Sequence, residues 1–371
     1  MPTDDEILYM KRACRLALRG TGRVSPNPLV GAVVVRNGVV VGEGYHLYER
    51  KDHAEVIALA QAGSKAKGAD LYVNLEPCSH VGRTPPCVDS IIRAGVRRVF
   101  VAIRDPNHLV SGQGIAALRK QGIEVREGVC REEASRLNEK FLHFIQTRRP
   151  FVLLKLGMTL DGRIAAASGQ SRWITGEQSR RVAHNLRFEY DAVLVGVNTV
   201  VADDPSLDTR GARRKPLTKV ILDSELRTPQ TARVFKSPGP VVIFFGPGAS
   251  ESHAPALRQA ATLIPVTKTS DGLDWDCILR ALGEQGVTSV LIEGGGRVAA
   301  SAIRAGVVQK IAFFYAPKIL GAEGISGIGR LGVRDLSDAL QLADMRVKRL
   351  GSDFLVEGYP ITALRPARFP A

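Results

Sequence analysis

The chain has no apolar run of the roughly eighteen residues that a membrane-spanning helix needs, so no stretch of it is built to cross a membrane as a helix. Its first residues, Met1-Pro2-Thr3-Asp4-Asp5-Glu6, lack the basic and apolar regions of a secretory signal, and the cytoplasm is the expected compartment. Cysteine is scarce: five residues, at 14, 78, 87, 130 and 277. An odd number at uneven spacing disfavours a disulfide framework and favours metal ligands or free thiols. A basic arm is missing as well. The net charge is +14, yet residues 1–150 carry 23 basic and 16 acidic side chains and the remainder 28 and 21. An even spread of positive charge favours phosphate-bearing metabolites as partners, with nucleic acid as the competitor. At 371 residues the chain exceeds what one core usually serves, so two domains are expected. With 44% hydrophobic and 24% charged residues, disorder is excluded.

What is there centres on His53-Ala54-Glu55, Pro77-Cys78 and Cys87. One His and two Cys make a three-ligand zinc set with a fourth position open, which is the catalytic pattern and not the closed structural one. A Glu two residues after the His is the proton carrier such a metal needs. Zinc nucleobase deaminases combine these parts, with a Pro-Cys-x-x-Cys pair of thiols. Here eight residues, Ser79 to Pro86, separate the two Cys where that pattern has two. A structural reading competes locally: Asp52 as a helix N-cap with Glu55 as its capping-box partner. Buried Cys are also common core residues. Cys78 follows one Pro in a polar loop and Cys87 follows two, which is not core texture.

The first half alternates strand and helix, hence α/β with helices on both faces. Thr3 and Glu6 read as a capping box opening a helix to about Gly20. Val30–Arg36 reads as a strand, Asn37-Gly38 as a hairpin turn and Val39–Gly42 as its return. A helix is expected from about His53 to Gly63, a buried strand at Leu71–Leu75, and a helix at Cys87–Ala94. Cys87, at a helix N-terminus, is expected to deprotonate easily. A strand at Arg97–Ile103, a helix at Ile115–Gln121, a strand at Ile123–Arg126 and one helix from about Arg131 to Ile145 complete the unit. Asn27, before Pro28, is either a turn former or a ligand contact.

Three stretches strongly resemble the bifunctional riboflavin biosynthesis deaminase-reductase family: Ser25 to Val33, His53 to Val56, and Glu76 to Cys87 with its long Cys spacing. The resemblance implies a cytidine-deaminase-like three-layer α/β/α domain over 1–147. In it His53, Cys78 and Cys87 bind zinc, Glu55 carries the proton, and Asn27, His80 and Arg83 line the pocket. The implied substrate is a diamino-pyrimidinone bearing a ribosylamino 5′-phosphate. Arg50 stands where the family usually has Gly.

Thr147-Arg148-Arg149-Pro150 reads as the linker. Beyond it lie strands at Phe151–Gly157, Ala192–Gly196, Lys219–Asp223, Val241–Phe245, Leu263–Val266, Ser289–Ile292, Lys310–Tyr315 and Asp353–Glu357. Helices are expected at Gly176–Glu189, Trp275–Leu282 and after Gly296. Lys155, in an apolar strand, is either functional or an ion-paired strand-end residue. Glu293-Gly294-Gly295-Gly296-Arg297 follows a strand and opens a helix, which is a phosphate cradle or an ordinary turn. Gly327 to Gly332 spells G-x-G-x-x-G with no strand directly before it and reads as chance.

These segments resemble the same family's reductase domain, implying a dihydrofolate-reductase-like α/β fold over 150–366. The carrying motifs are Lys155-x-Gly157-x-Thr159-Leu160-Asp161-Gly162, Trp173-Ile174-Thr175, Gly196 through Leu207, and Glu293-Gly294-Gly295. The resemblance implies NADPH contacts from Gly157, Trp173, Thr199, Asp203, Ser224 and the turn Gly295, Gly296, Arg297, Val298, Ala299, Ala300 and Ser301. Substrate contacts would come from Ser171, Arg187, Leu207, Arg210 and Glu293. Arg187 and Arg210 suit a phosphate, and Arg297 suits the extra phosphate of NADPH. Lys155, Asp203 and water remain candidate proton donors. The expected partners are a phosphorylated pyrimidine, no nucleic acid, no membrane, and a second copy of the chain. Two other readings compete: a zinc deaminase of tRNA or other nucleic acid, and a non-catalytic zinc protein with a nucleotide sensor.

Overall fold

The computed structural model describes residues 1–80, 85–107, 111–209, 215–249 and 254–361. The chain forms two compact units, Met1–Arg148 and Arg149–Ala371.

The first unit begins with α1 (Asp4–Ala17), whose Thr3 and Glu6 bond each other's backbone N–H in a full capping box. The helix gives way to a 3-10 turn at Leu18–Gly20. Strands β1 (Gly31–Arg36) and β2 (Val39–Tyr45) form the hairpin at Asn37-Gly38, where both residues have positive φ. The return strand is three residues longer than expected. Then follow α2 (Ala54–Ala62), β3 (Asp70–Leu75), α3 (Cys87–Ala94), β4 (Arg98–Ile103), α4 (Gln113–Lys120), β5 (Glu124–Glu127), α5 (Arg131–Leu137) and α6 (Glu139–Thr147). The sheet order is β2-β1-β3-β4-β5. β1 opposes both neighbours, so β2, β3, β4 and β5 all point to one edge.

Neighbouring side chains on a strand go to opposite faces, so one sheet feeds two cores. Val34, Val73 and Val101 pack with Ala58, Ile91 and Leu118 of α2, α3 and α4. Val33, Tyr72 and Phe100 pack with Met10, Ala134 and Leu142 of α1, α5 and α6. That is the expected three-layer α/β/α arrangement. One helix expected over Arg131–Ile145 is two, broken at Asn138. The buried Asn138 side chain accepts from Leu29 N at 2.8 Å and donates to Leu29 O at 3.0 Å, an arrangement a continuous exposed helix face does not provide.

The second unit holds β6 (Phe151–Thr159), β7 (Arg163–Ala165), α7 (Glu177–Glu189), β8 (Ala192–Gly196), α8 (Val197–Asp203), β9 (Thr218–Leu222), β10 (Val241–Phe245), α9 (Ala254–Ala260), β11 (Thr262–Pro265), β12 (Lys268–Thr269), β13 (Gly272–Leu273), α10 (Trp275–Glu284), β14 (Ser289–Ile292), α11 (Gly296–Arg304), β15 (Lys310–Ala316), β16 (Ile325–Ser326), β17 (Leu342–Leu350) and β18 (Asp353–Pro360). Its main sheet has the order β11-β10-β9-β8-β14-β6-β15-β18-β17. The first seven run parallel and β18 and β17 are antiparallel. Val197–Asp203, within the motif Gly196 through Leu207, is a short helix. β17 was not anticipated, because its central residues, Asp344 to Arg349, are exposed and mostly polar. Gly327 to Gly332 opens no helix. No helix among the described residues is long and apolar enough to cross a membrane.

Candidate active sites

In the first unit, the parallel strands deliver two helix starts to one sheet edge. β2 leads into α2 at His53, and β3 leads through Pro77-Cys78 to α3 at Cys87. α2 lies directly on β2, since a Cβ on Gly44 would stand 2.1 Å from Ala54 O. His53 is the N-cap of α2, and no side chain caps that end. Glu55 is therefore not a capping-box partner. It is buried at 3% exposure, and its Oε2 has no hydrogen-bond partner among the described residues.

His53, Cys78 and Cys87 present ligand atoms within 4.8 Å of one another. His53 Nδ1 lies 3.1 Å from Cys87 Sγ and 3.5 Å from Cys78 Sγ. A tetrahedral zinc with ordinary bond lengths separates such N and S ligands by about 3.6 Å. The donor set and spacing therefore fit zinc, and Glu55 supplies an unpartnered carboxylate oxygen beside it. The Cys87 N–H at the start of α3 donates to Cys78 Sγ at 3.3 Å. A hydrogen bond from Cys87, against burial and with help from His53, holds the Cys78 thiol down to about 4. The bond to Cys78, with burial, pushes Cys87 up. Burial pushes Glu55 up to about 7, with the Cys78 charge adding to it and His53 opposing.

A second ring of polar groups supports this edge. Asn27 Nδ2 donates to His46 Nε2 at 2.9 Å. The His46 ring meets His53 edge-on with centroids 5.3 Å apart. The buried Asn74 accepts from Gly31 N and donates to Leu29 O, both at 2.8 Å. With Asn138 it clamps the loop that carries Asn27. His80 is exposed, and so is Arg50. Arg83 lies outside the described residues.

In the second unit a cavity of about 1290 Å³ opens at the C-terminal ends of β6, β8, β9 and β14. Ligands of parallel α/β sheets bind at that edge. The volume exceeds the several hundred Å³ of an ordinary small-molecule pocket, leaving room for a dinucleotide and a second ligand. Gly157, Ser171, Trp173, Thr199, Asp203 and Ser224 line it. So do Arg187, Leu207, Glu293, Gly295, Gly296, Arg297, Val298 and Ser301. Ala299 and Ala300 do not: they are buried in the body of α11. Arg210 lies outside the described residues.

Ser171 Oγ donates to Asp203 Oδ1 at 3.2 Å. Trp173 is 61% exposed, with the Arg180 guanidinium 4.5 Å from its ring centroid. Glu293 forms the charged floor. Arg187 Nε and Nη2 reach its two oxygens at 2.8 Å each, and Lys155 Nζ stands 3.8 Å away. Burial would raise the Glu293 carboxyl, but the Arg187 and Lys155 charges and the Arg187 hydrogen bonds hold it down to about 2. Lys155 is thus an ion-paired strand residue facing the cavity, and Arg187 is buried where a helix-surface residue could have been solvated. Arg187 Nη1 also donates to Asp208 O at 3.0 Å. Lys219 was not anticipated. Fully buried, it donates from Nζ to Val234 O, Ser237 O and Ser237 Oγ, and Ser237 Oγ donates to Ser206 O next to Leu207.

With both sites in place, comparison with known proteins is direct. Residues 3–103 match the cytidine and deoxycytidylate deaminase zinc-binding region. Residues 150–356 match the RibD C-terminal domain. The chain is 47% identical over 349 residues to the riboflavin biosynthesis protein RibD of Aquifex aeolicus, covering 94% of this chain and 96% of that one. It is 40% identical over 359 residues to RibD of Escherichia coli, covering 93% and 96%. The solved structure of Acinetobacter baumannii RibD superposes with a TM-score of 0.87 at 34% identity, covering 96% and 99%. A diaminohydroxyphosphoribosylaminopyrimidine deaminase/5-amino-6-(5-phosphoribosylamino)uracil reductase from Thermotoga maritima superposes with 0.84 at 39% identity, covering 96% and 99%. By these matches over nearly its whole length, the chain belongs to the RibD family of riboflavin biosynthesis, in which a zinc-dependent deaminase domain is joined to a reductase domain.

Proposed function

We infer that the chain is a bifunctional enzyme that hydrolytically deaminates a diamino-pyrimidinone carrying a ribosylamino 5′-phosphate and then reduces its ribosyl group to ribityl with NADPH. The observation that carries this reading is the pairing, in one chain, of an open His/Cys/Cys set with a buried Glu and a dinucleotide-sized cavity. We assign deamination to 1–147 and reduction to 150–366.

In the deaminase step His53, Cys78 and Cys87 hold the zinc. Zinc, when bound, is a Lewis acid that brings the pKa of a coordinated water toward neutrality. Glu55 accepts the attacking water's first proton at Oε2 and passes it to the ring nitrogen, then carries the second, from the new hydroxyl, to the leaving amine. Water is added and ammonia leaves. Its burial at the start of α2 keeps that proton out of bulk solvent. Asn27 and His80 are the proposed pocket contacts.

In the reductase step NADPH supplies hydride to the anomeric carbon of the opened ribosyl group. Gly157, Trp173, Thr199, Asp203, Ser224 and the Gly295–Ser301 turn are the proposed cofactor contacts. Ser171, Arg187, Leu207 and Glu293 are the proposed substrate contacts. Between the two side-chain candidates for proton donor we favour Lys155, which faces the cavity beside Glu293, whereas Asp203 accepts from Ser171 Oγ.

We further propose a cytoplasmic homo-oligomer. All five cysteines are free, which suits a reducing compartment. β17 is an edge strand with Met345 and Val347 exposed, a row that a second copy could cover. The nucleic-acid deaminase is not favoured, because the reductase match spans 150–356 and the positive charge is spread evenly. The test is ammonia release from the pyrimidine phosphate by zinc-loaded protein. Release from tRNA alone, with steep salt dependence of tRNA binding, would overturn the small-molecule reading.

A further inference from the structure

Glu76 directly follows β3, two residues before Cys78, and is buried at 6% exposure. Among the described residues its carboxylate meets no basic side chain. It accepts instead from four backbone N–H groups. Oε2 takes Asp105 N at 3.1 Å and Gly112 N at 2.9 Å. Oε1 takes Gly114 N at 3.0 Å and Ile115 N at 3.3 Å. The last two are orphan donors of the first turn of α4, and the positive end of that helix compensates a buried anion. Charge-assisted bonds of this kind are among the stronger ones.

The same helix start presses on the chain between Glu76 and Cys78. A Cβ on Gly114 would stand 2.1 Å from Pro77 O, so only glycine lets α4 approach this closely. Glu76 N also bonds Ile103 O at 2.9 Å. The segment entering Cys78 is therefore held from three sides, and Pro77 fixes one of its own torsions. Nothing in the ligand chemistry requires Glu76, since it touches none of the three donors.

We propose that Glu76 is a positioning residue for the metal centre: its carboxylate, bonded to the start of α4, sets the direction in which Cys78 enters the ligand set. The proposal rests on Cys78 being a ligand. Outer groups that orient ligands tune metal affinity as well as activity.

The test uses the full chain. Glu76→Gln keeps the shape but turns a donor toward two N–H groups. Zinc affinity, read by competition with a chromogenic chelator, should fall about ten- to a hundred-fold. Ammonia release should fall in kcat with little change in KM, and excess zinc should restore it. NADPH affinity should stay at the wild-type value. Gly114→Ala keeps the Glu76 carboxylate but crowds Pro77 O at 2.1 Å and Glu76 Oε1 at 3.3 Å, so it should lower zinc affinity in the same direction. It serves as the second probe if Glu76→Gln does not fold. Val99→Ala, in the core of β4, is the control for lost stability: it should melt lower and keep its zinc affinity. The proposal is overturned if folded Glu76→Gln holds zinc as tightly as wild type, or if Val99→Ala loses zinc in proportion to its loss of melting temperature. Cys78→Ser should lose zinc; if it does not, the ligand assignment fails first, and the two failures are told apart.

Discussion

In the first unit the candidate ligands His53 and Cys87 are 34 residues apart, and both open helices at one sheet edge. In the second, Arg187 and Glu293 meet from 106 residues apart, and the cavity wall is drawn from six or more loops. The first site is compact, with its three ligand atoms within 4.8 Å of one another. The second is long, open and centred on a buried carboxylate between two cations. A metal site needs a few donors at fixed distances, which two helix starts and one loop supply. A site for a dinucleotide and a sugar phosphate needs length, which only several strand ends supply. The difference predicts that the halves fail separately and by different physics.

The sharpest break comes from Cys87→Ala. Zinc and ammonia release should both be lost, while NADPH titration gives the wild-type affinity. Joint loss of both in folded protein would contradict the separation. Next is Glu55→Gln, which should lower ammonia release by about 10²–10⁴-fold with zinc content unchanged by metal analysis. A loss of zinc along with activity would make Glu55 structural.

In the second unit, Glu293→Gln leaves Arg187 and Lys155 facing each other without their anion. Removing one partner of a buried ionic cluster destabilises by about 3–5 kcal/mol. Trp173 and Trp275 are the only two tryptophans, so urea unfolding followed by tryptophan fluorescence reports on this unit alone. The pH dependence follows with a definite sign. The Glu293 carboxyl is held at about 2 in the fold, below its unfolded value. Its contribution is therefore complete above about pH 5 and is lost progressively as pH falls through the unfolded value toward about 2. The stability gap between wild type and Glu293→Gln should be flat from neutrality to about pH 5 and shrink below that. A gap that widens on acidification would contradict the charge assignment. The smallest effect is expected from Arg181→Ala, which removes an exposed pair with Glu177 at 3.0 Å. It should change stability by no more than about 0.5 kcal/mol and leave both activities intact.

The two halves also differ in how far their residues announce themselves. His53, Glu55, Cys78 and Cys87 are rare residue types in tight spacing, and the alternation of strands and helices was plain in the apolar runs. In the second unit only the resemblance picked Arg187 and Glu293 out, because an Arg on a helix and a Glu after a strand are ordinarily solvated. Their meaning lies in a contact across the sheet, which spacing along the chain does not record. Glu76, Asn74, Asn138 and Lys219 escaped notice for the same reason. Each is a polar residue whose partner is backbone from a distant loop. Asn138 even broke a helix that periodicity drew as continuous, since its side chain serves Leu29. β17 lacked an alternating apolar signal because both its faces are exposed.

The most direct test follows ammonia and NADPH oxidation together in one reaction with the diamino-pyrimidinone phosphate. Wild-type protein should release ammonia first and then oxidise an equal amount of NADPH. Glu55→Gln should do neither with that substrate, yet oxidise NADPH normally when given the deaminated pyrimidine. NADPH oxidation by Glu55→Gln on the diamino substrate, without ammonia, would contradict the account of two sites acting in sequence.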